Sequence, residues 1–341
     1  MGDPEYTDRY GYMTTMQSTT SVTPGRHSSQ RRTDLVAAAT LVVMWSSGFI
    51  GAELGTRHAA SDTLLAWRYL AAAVVVGAWA AVRGVRPDRR TWPRLVVLGV
   101  LCQCIYLGGV VTGVGAGVPP GTAALVAALQ PLLVAVLAGP LLGERTTGAQ
   151  RVGLVLGVVG VGLVVAADLG GGSSGPLGYV LVVGGMLGLV AGTVLERRMA
   201  LDVSLLESMT VQTLTSAVFF VAVAGADRHL APPAAAGFWW AVLWVVGLST
   251  FGGYGSYLVV LRRSGATRVS TLLFLTPPAT ALWAFLMFGT RPALLALPGA
   301  VVCAVAVVLV VRASVSRPRL VRDGLQAEPD KAPAKRHGLS G

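Results

Sequence analysis

Ten apolar stretches of about 20 residues, separated by short polar segments, dominate this 341-residue sequence. An α-helix needs about 20 mostly apolar residues to cross the roughly 30 Å of hydrocarbon in a bilayer. The pattern therefore predicts an all-α integral membrane protein with ten transmembrane helices. The stretches run approximately over residues 35–56, 63–83, 93–115, 119–142, 148–167, 176–196, 204–225, 237–261, 266–288 and 293–313.

The composition favours a membrane protein over a soluble one. Hydrophobic residues make up 53% of the chain and charged residues only 13%, whereas soluble domains carry about 25% charged residues. A net charge of +11 indicates a nucleic-acid partner only where Lys and Arg gather on one polar face. Here long apolar stretches separate short basic clusters, which is typical of a multi-spanning protein. We therefore expect the lipid bilayer, and no nucleic acid, as a partner.

The basic residues also predict how the helices are oriented. With both termini on one side, 23 of the 27 Lys and Arg residues lie in segments on that side, three lie on the other, and Arg68 lies within a helix. Cytoplasmic segments are enriched in Lys and Arg, so both termini are expected in the cytoplasm. The excess of Arg over Lys, 25 to 2, favours a GC-rich bacterial genome and hence the plasma (inner) membrane. The polar segments 1–34 and 314–341 are expected to be disordered cytoplasmic tails.

The two halves of the chain repeat each other at an offset of 146 residues. At this offset Pro131 aligns with Pro277, and Gly143 aligns with Gly289. An odd number of helices in each unit would invert the second unit in the membrane, and inverted repeats are typical of secondary transporters, whose binding sites lie near the midplane. We expect two units of five helices each, residues 35–167 and 168–313.

Each repeat has a proline near the middle of its fourth helix, preceded by a polar residue. Gln130 precedes Pro131, and Thr276 precedes Pro277. A proline inside a helix leaves the carbonyl four residues earlier without its hydrogen bond. In lipid that carbonyl needs another partner or a wet cavity. These four residues are candidates for a central binding site, and the alternative is a packing kink that neighbouring helices satisfy.

Arg68 is the basic residue left within an apolar helix. A charge at full depth costs about 2.5–3.5 kcal/mol or more. Its guanidinium suits a substrate carboxylate, which it can bind through two parallel hydrogen bonds. The alternatives are pairing with a neighbouring helix or a side chain that extends to the headgroups. Glu53, in the same half of the bundle, is a candidate partner in an ion pair that substrate or a proton would break, or else an interfacial carboxylate.

Further residues are candidates by position. Trp45 lies on the face of the first helix that also carries the candidate carboxylate, because the two are eight residues apart. Tyr106, Tyr254 and Tyr257 lie deep in their helices, and a buried tyrosine hydroxyl needs a partner, so they either line a cavity or pack in the core. Glu144 lies at a cytoplasmic turn and is a candidate gate contact.

The sequence gives no support to catalytic or metal-binding chemistry. The four His residues lie in tails or polar loops, and the three Cys residues show no zinc spacing. Paired titratable groups, which an intramembrane enzyme would need, are missing from the apolar stretches. We expect no catalytic site, no metal and no cofactor, and we do not predict an enzyme.

In its motifs the sequence resembles the drug/metabolite transporter superfamily, specifically its ten-helix EamA-type members. The resemblance covers about residues 35–313 and implies a ten-helix bundle that moves small metabolites, most often outward and often amino acids or related compounds. One departure is Gly289-Thr290-Arg291, where the family usually repeats Gly-Glu, so a role that needs a carboxylate in both copies does not carry over. The matching residues are Trp45-Ser46-Ser47-Gly48-Phe49-Ile50-Gly51, Arg68-Tyr69-Leu70, Gln130-Pro131, Gly143-Glu144-Arg145, Gly153, Gly160-Val161, Tyr257, Ala266, Ser270 and Pro277.

The sequence thus predicts a transporter that moves a small polar or amphipathic metabolite, amino-acid-like or drug-like, by alternating access. The outward direction is implied by the resemblance alone. The alternatives are a flippase for a lipid-linked phosphate, a nucleotide-sugar carrier, and a non-transporting receptor or scaffold. The sequence leaves the oligomeric state open between a monomer and a homodimer.

Overall fold

The computed structural model of this protein describes residues 24–143, 147–170, 175–290, 294 and 296–315. The described chain is helical throughout apart from short connections. Nine of its helices are long and apolar enough to cross a membrane, and the last contributes a shorter apolar stretch, Ala296–Val310. This confirms the all-helical membrane architecture. The helices are α1 (Pro24–Thr56), α2 (Ser61–Val82), α3 (Trp92–Gly115), α4 (120–142), α5 (Gly148–Gly170), α6 (Pro176–Met199), α7 (Leu205–Ala226), α8 (Ala236–Gly265), α9 (266–288) and α10 (Ala296–Val315).

The first helix begins earlier than the apolar pattern predicts. α1 starts at Pro24, so residues 24–34 are helical where a disordered tail was expected. Extending an existing helix is cheap compared with starting one, and proline is tolerated in the first turn. Asp34 also forms an ion pair with Arg263 of α8 at 3.3 Å, which holds the polar turn of α1 against the bundle. The rest of the two predicted tails, 1–23 and 316–341, lies outside the described residues.

The helices pack in a pattern that respects the repeat. α2 packs against α7, α4 against α9, and α5 against α10, so equivalent helices of the two halves meet each other. α1 packs against α8, and its equivalent α6 packs against α3, which is the equivalent of α8. Exchanging the halves converts these five contacts into one another, which is consistent with two units related by inverted-repeat symmetry.

The same symmetry holds at single residues where α5 meets α10. Gly153 of α5 packs so closely on α10 that a Cβ there would meet the side chain of Val310. Gly299 of α10 packs on α5, where a Cβ would meet Val164 at 2.8 Å. Adding the offset of 146 to Gly153 and subtracting it from Val310 converts the first contact into the second. The glycine match found in the sequence thus reflects one close helix approach used twice.

The fourth helix of each half is broken at its middle. α4 consists of Pro120–Ala127 and Gln130–Leu142, and α9 is interrupted before its second part, Thr276–Phe288. The break closes in the same way in both halves: the Leu129 N–H donates to the Val126 carbonyl at 3.1 Å, and the Leu275 N–H donates to the Leu272 carbonyl at 2.9 Å.

The prolines take a different place from the one predicted. Pro131 and Pro277 lie in the first turn of the second helical part, not inside a continuous helix. A first-turn N–H has no partner within the helix, so proline loses nothing there. Gly143 and Gly289 end these parts in the left-handed conformation, at φ 73° and 68°, which explains why both copies keep glycine.

A π-helical segment interrupts the third helix of each half. The two segments are Val100–Ile105 in α3 and Val245–Gly252 in α8, and the repeat offset brings them into register. A π-helical turn inserts extra backbone into an α-helix and often marks a functional site. Both segments contribute residues to the wall of a cavity inside the bundle.

Candidate functional site

A cavity of about 760 Å³ lies at the centre of the bundle, and each of the ten helices contributes to its wall. This volume is within the range of small-molecule binding sites. The wall extends to the end of the bundle where Gln150, Arg197 and Leu205 lie, called here the Arg197 end. In the described part of the chain, the loops at the opposite end contribute no wall residue. The cavity therefore runs from mid-bundle towards one end only.

Seven of the nine predicted binding residues lie on this wall, and these seven come from five different helices. Thr276 and Pro277 do not line it, although the repeat predicted that they would. Both are buried, and the Thr276 carbonyl accepts a hydrogen bond from the Ser46 hydroxyl at 3.4 Å. On α9, earlier residues such as Phe274 face the cavity instead. The predicted residues on the wall are Trp45, Arg68, Tyr106, Gln130, Pro131, Tyr254 and Tyr257.

Arg68 presents a cation in the wall without an acidic partner within ion-pair distance among the described residues. The residue is only 7% exposed. Its Nη2 donates to the Thr250 hydroxyl at the long distance of 3.4 Å, and its Nε has no hydrogen-bond partner. Thr250 in turn donates to the Val245 carbonyl at 3.0 Å, so its oxygen is free to accept. A buried guanidinium with spare donors is a ready anion-binding group.

Glu53 does not supply the missing partner. Its carboxylate accepts from Arg57, four residues later and just after the end of α1, at 2.8 Å. Arg57 also lies over the Phe288 ring at 4.2 Å. The expected ion pair between Glu53 and Arg68 is therefore not formed in this structure. A partner four residues later at the end of a helix is within reach, which explains the choice. Glu144, the other candidate for gating, lies outside the described residues.

The structure adds a polar relay that sequence reasoning missed. The Tyr69 hydroxyl donates to Gln103 Oε1 at 2.7 Å, and Gln103 Nε2 donates to the Tyr254 hydroxyl at 3.4 Å. Gln103 lies in the π-helical segment of α3 and lines the cavity. Like Gln130, it is an amide within an apolar stretch, and that signal was available in the sequence.

Aromatic side chains form another part of the wall. The Trp45 ring lies 6.2 Å from the Tyr254 ring and 5.9 Å from the Tyr257 ring, measured between centroids. Flat, weakly polar surfaces of this kind bind apolar groups and, through ring edges and hydroxyls, polar ones. Beside Arg68 they give the cavity an amphipathic character.

No cluster in the described residues offers a metal site, since no three His, Cys, Asp or Glu side chains come together there.

Towards the Arg197 end the cavity wall becomes polar. The polar residues that line it there are Gln150, Glu196, Arg197, Ser208 and Gln212.

Comparison with known proteins gives sequence relatives that are membrane transporters. The chain is 25% identical over 253 residues to the uncharacterized inner membrane transporter YedA of Escherichia coli (strain K12), which covers 72% of this chain and 80% of that protein. It is 28% identical over 291 residues to a protein of Streptantibioticus cattleyicolor named "Probable terminal-alkyne amino-acid exporter", covering 83% and 95%. It is 23% identical over 167 residues to an Escherichia coli (strain K12) protein named "Probable amino-acid metabolite efflux pump", covering 49% and 54%.

A protein of known crystal structure shares the fold, with a TM-score of 0.58 and 20% identity over 87% of this chain and 99% of that one. The model of the EamA-like transporter family matches the sequence twice, over residues 33–166 and 176–312. The chain therefore belongs to the EamA-like transporter family, a family of transporters and not of enzymes.

Proposed function

We propose that this protein exports a small amphipathic metabolite with an anionic group, of the amino-acid kind, by alternating access. The observation that carries the proposal is the unpaired cation of Arg68 in the wall of a central cavity. A buried charge is costly unless it is paired. A substrate carboxylate would supply the pair, and the aromatic wall around Trp45 would receive the apolar part.

The names of two relatives support the amino-acid kind of substrate. One is named an amino-acid exporter and one an amino-acid metabolite efflux pump. The cavity volume of about 760 Å³ is sufficient for an amino acid together with water.

The proposed outward direction is supported by the names of the same two relatives, an exporter and an efflux pump. By the positive-inside rule, the Arg197 end and both termini would face the cytoplasm. A cavity that extends to that end would be accessible to substrate from the cytoplasm. The inverted symmetry of the two halves provides a second, equivalent arrangement in which the cavity would extend to the other end. Interconversion of the two arrangements would carry the substrate outward.

Counterflow in proteoliposomes tests this function. Vesicles loaded with an equimolar mixture of amino acids are challenged with each labelled amino acid in turn, using wild type, Arg68→Ala and Arg57→Ala. Losing a hydrogen bond to a charged group costs about 1.5–3 kcal/mol, so Arg68→Ala is expected to raise the half-saturation concentration about 10- to 100-fold. Arg57 pairs with Glu53 away from the cavity, so Arg57→Ala is expected to retain wild-type exchange.

The outcomes separate the alternatives. If Arg68→Ala exchanges as well as wild type, Arg68 has a structural role and the anion-binding part of the proposal is wrong. If folded wild-type protein exchanges no amino acid, the substrate class is wrong, and lipid-linked phosphates and nucleotide sugars become the next probes. A receptor or scaffold predicts no flux with any solute.

A further inference from the structure

We propose that Tyr254 is the second donor for the substrate anion beside Arg68, and that Tyr69 and Gln103 position its hydroxyl. The inference rests on the proposed function and adds the specificity-determining half of the same site. It follows from counting which group donates each proton in the relay.

The relay starts at Tyr69, which is 4% exposed. The nearby Ser216 hydroxyl already donates its proton to the Gln212 carbonyl at 2.8 Å. The Tyr69 hydroxyl donates its own proton to Gln103 Oε1 at 2.7 Å, a distance typical of an O–H···O bond and shorter than most N–H···O bonds. This fixes the orientation of the Gln103 amide, with its oxygen on Tyr69.

The amide orientation determines the role of Tyr254. With Oε1 on Tyr69, the Gln103 Nε2 group faces Tyr254 and donates to its hydroxyl oxygen at 3.4 Å. The Tyr254 hydroxyl is therefore an acceptor in the relay, and its own proton remains to be donated elsewhere. Within residues 24–143, 147–170 and 175–290, no acceptor for this proton is found.

Arg68 is the first donor in a second chain of hydrogen bonds. Its Nη2 donates to Thr250, and Thr250 donates to the Val245 carbonyl. The Nε of Arg68 has no hydrogen-bond partner among the described residues. Arg68 and Tyr254 both line the cavity, and Thr250, to which Arg68 donates, lies four residues before Tyr254 on α8. The wall therefore carries two groups with protons to donate, and a carboxylate supplies acceptor oxygens for both.

The two π-helical segments produce this arrangement. Gln103 lies in Val100–Ile105 of α3, and Thr250 lies in Val245–Gly252 of α8. Adjacent residues of α2 contact the two segments, Tyr69 the first and Arg68 the second. The paired irregularities of the fold thus orient the two donors.

We predict that the transporter binds an amino acid, through its carboxylate, more tightly than it binds the carboxamide of the same amino acid. A carboxamide offers one good acceptor and brings an NH₂ group that would face a donor. Buried donors left unpaired reject such an analogue. Removing the Tyr254 hydroxyl should weaken carboxylate binding more than carboxamide binding.

The experiment measures half-saturation for the amino acid that exchanges fastest in the counterflow panel and for its own carboxamide. Tyr254→Phe is expected to raise the half-saturation concentration of the carboxylate about 10- to 100-fold, the fold-change that corresponds to one lost hydrogen bond to a charged group. It is expected to change that of the carboxamide less than 2-fold. Tyr257→Phe removes a hydroxyl from the same aromatic wall outside the relay. It is expected to leave the ratio of the two values unchanged.

A second pair of variants tests the positioning by Gln103. An ionised glutamate at this position can only accept hydrogen bonds. The Tyr254 hydroxyl would then donate to this glutamate and no longer to the substrate. Gln103→Glu is therefore expected to lower selectivity for the carboxylate at least as much as Tyr254→Phe. Gln212→Glu makes the same chemical change, but Gln212 bonds Ser208 at 2.8 Å and lies outside the relay. Because its added charge also lies in the cavity wall, it is expected to lower the selectivity ratio, but less than Gln103→Glu does.

Two results would overturn the inference while leaving the proposed function in place. One is an equal effect of Tyr254→Phe on carboxylate and carboxamide, with Arg68→Ala still impaired. The other is a loss of selectivity in Tyr257→Phe or Gln212→Glu as large as in the relay variants. Failure of Arg68→Ala to affect exchange would instead reject the anion-binding part of the proposed function, on which this inference rests.

Discussion

Asp168 is a buried carboxylate in the last turn of α5, 7% exposed. It accepts a hydrogen bond from the Thr122 hydroxyl of α4 at 2.6 Å. Neither residue lines the cavity, so this bond joins two helices of the first repeat at the end opposite Arg197. The sequence did not identify the pair, because hydropathy places Asp168 at the boundary of its apolar stretch, where exposure is the usual outcome.

We expect Asp168→Ala to lower the stability of the protein by about 1–3 kcal/mol, because the Thr122 hydroxyl is then buried without an acceptor. Thr122→Val should also destabilise, since the carboxylate then loses the hydrogen bond from Thr122. Unfolding of both single variants and the double variant in detergent completes a double-mutant cycle. Additive effects of the two substitutions would show that the bond does not contribute to stability.

At the scale of the helix, glycines set how closely α3 and α6 approach. A Cβ at Gly185 of α6 would lie 2.8 Å from the Tyr106 carbonyl oxygen and 3.3 Å from the Gly109 Cα. Both neighbours are backbone, so neither can move without shifting a helix. Gly184, the next residue back, has no atom within 4 Å of an added Cβ. Small residues at such positions allow close packing of membrane helices.

Gly185→Ala should therefore separate α3 from α6 and cost about 1–3 kcal/mol, the usual penalty of overpacking. Gly184→Ala makes the same change one residue away and should be neutral or slightly stabilising, because alanine favours a helix over glycine. Thermal unfolding of the two purified variants in detergent measures the difference. Equal midpoints would mean that the contact between α3 and α6 is not tight.

Helix starts are predictable at the same scale. Thr147 and Gln150 form a reciprocal cap at the start of α5: the Gln150 side chain accepts from the Thr147 N–H at 2.8 Å, and Thr147 accepts from the Gln150 N–H at 3.3 Å. Ser204 caps α7 by accepting from the Glu207 N–H at 3.1 Å. Such caps depend on spacing within one segment, and the sequence contains that spacing in full.

At the scale of the whole molecule, the cavity extends to one end only. Cys102 lies in its wall, whereas Cys303 is buried where α10 meets α5. From the positive-inside rule, we propose that the Arg197 end faces the cytoplasm. Access to Cys102 therefore reports both the conformation and the orientation of the protein.

A membrane-impermeant thiosulfonate should modify Cys102 in inside-out vesicles and leave it unmodified in right-side-out vesicles. Mass spectrometry of the purified chain identifies the modified cysteine. Cys303 serves as the internal control and should remain unmodified in both preparations. Modification of Cys102 only from the outer face would reverse the proposed orientation or require the cavity to extend to the other end.

Much of the architecture follows from local properties of the sequence. The apolar stretches specify the helices because crossing a bilayer depends on length and hydropathy alone. The breaks in α4 and α9 follow from proline, which restricts the backbone, and the ends of these helices follow from glycine, which readily adopts the left-handed conformation. The match of Gly143 with Gly289 was therefore a reliable sign of equivalent structure in the two halves.

What the sequence alone determined is thus the membrane class, the repeat and the buried cation Arg68. Only the tertiary structure decided which groups Arg68 meets, that Glu53 turns to Arg57, and that Gln103 orders Tyr254. It also decided that Thr276 is buried away from the cavity although Gln130 lines it. The physical reason is rotation: each residue turns a helix by about 100°, and an inserted π-helical turn shifts every later side chain. The face that a residue presents is therefore fixed by packing between helices and not by its own segment.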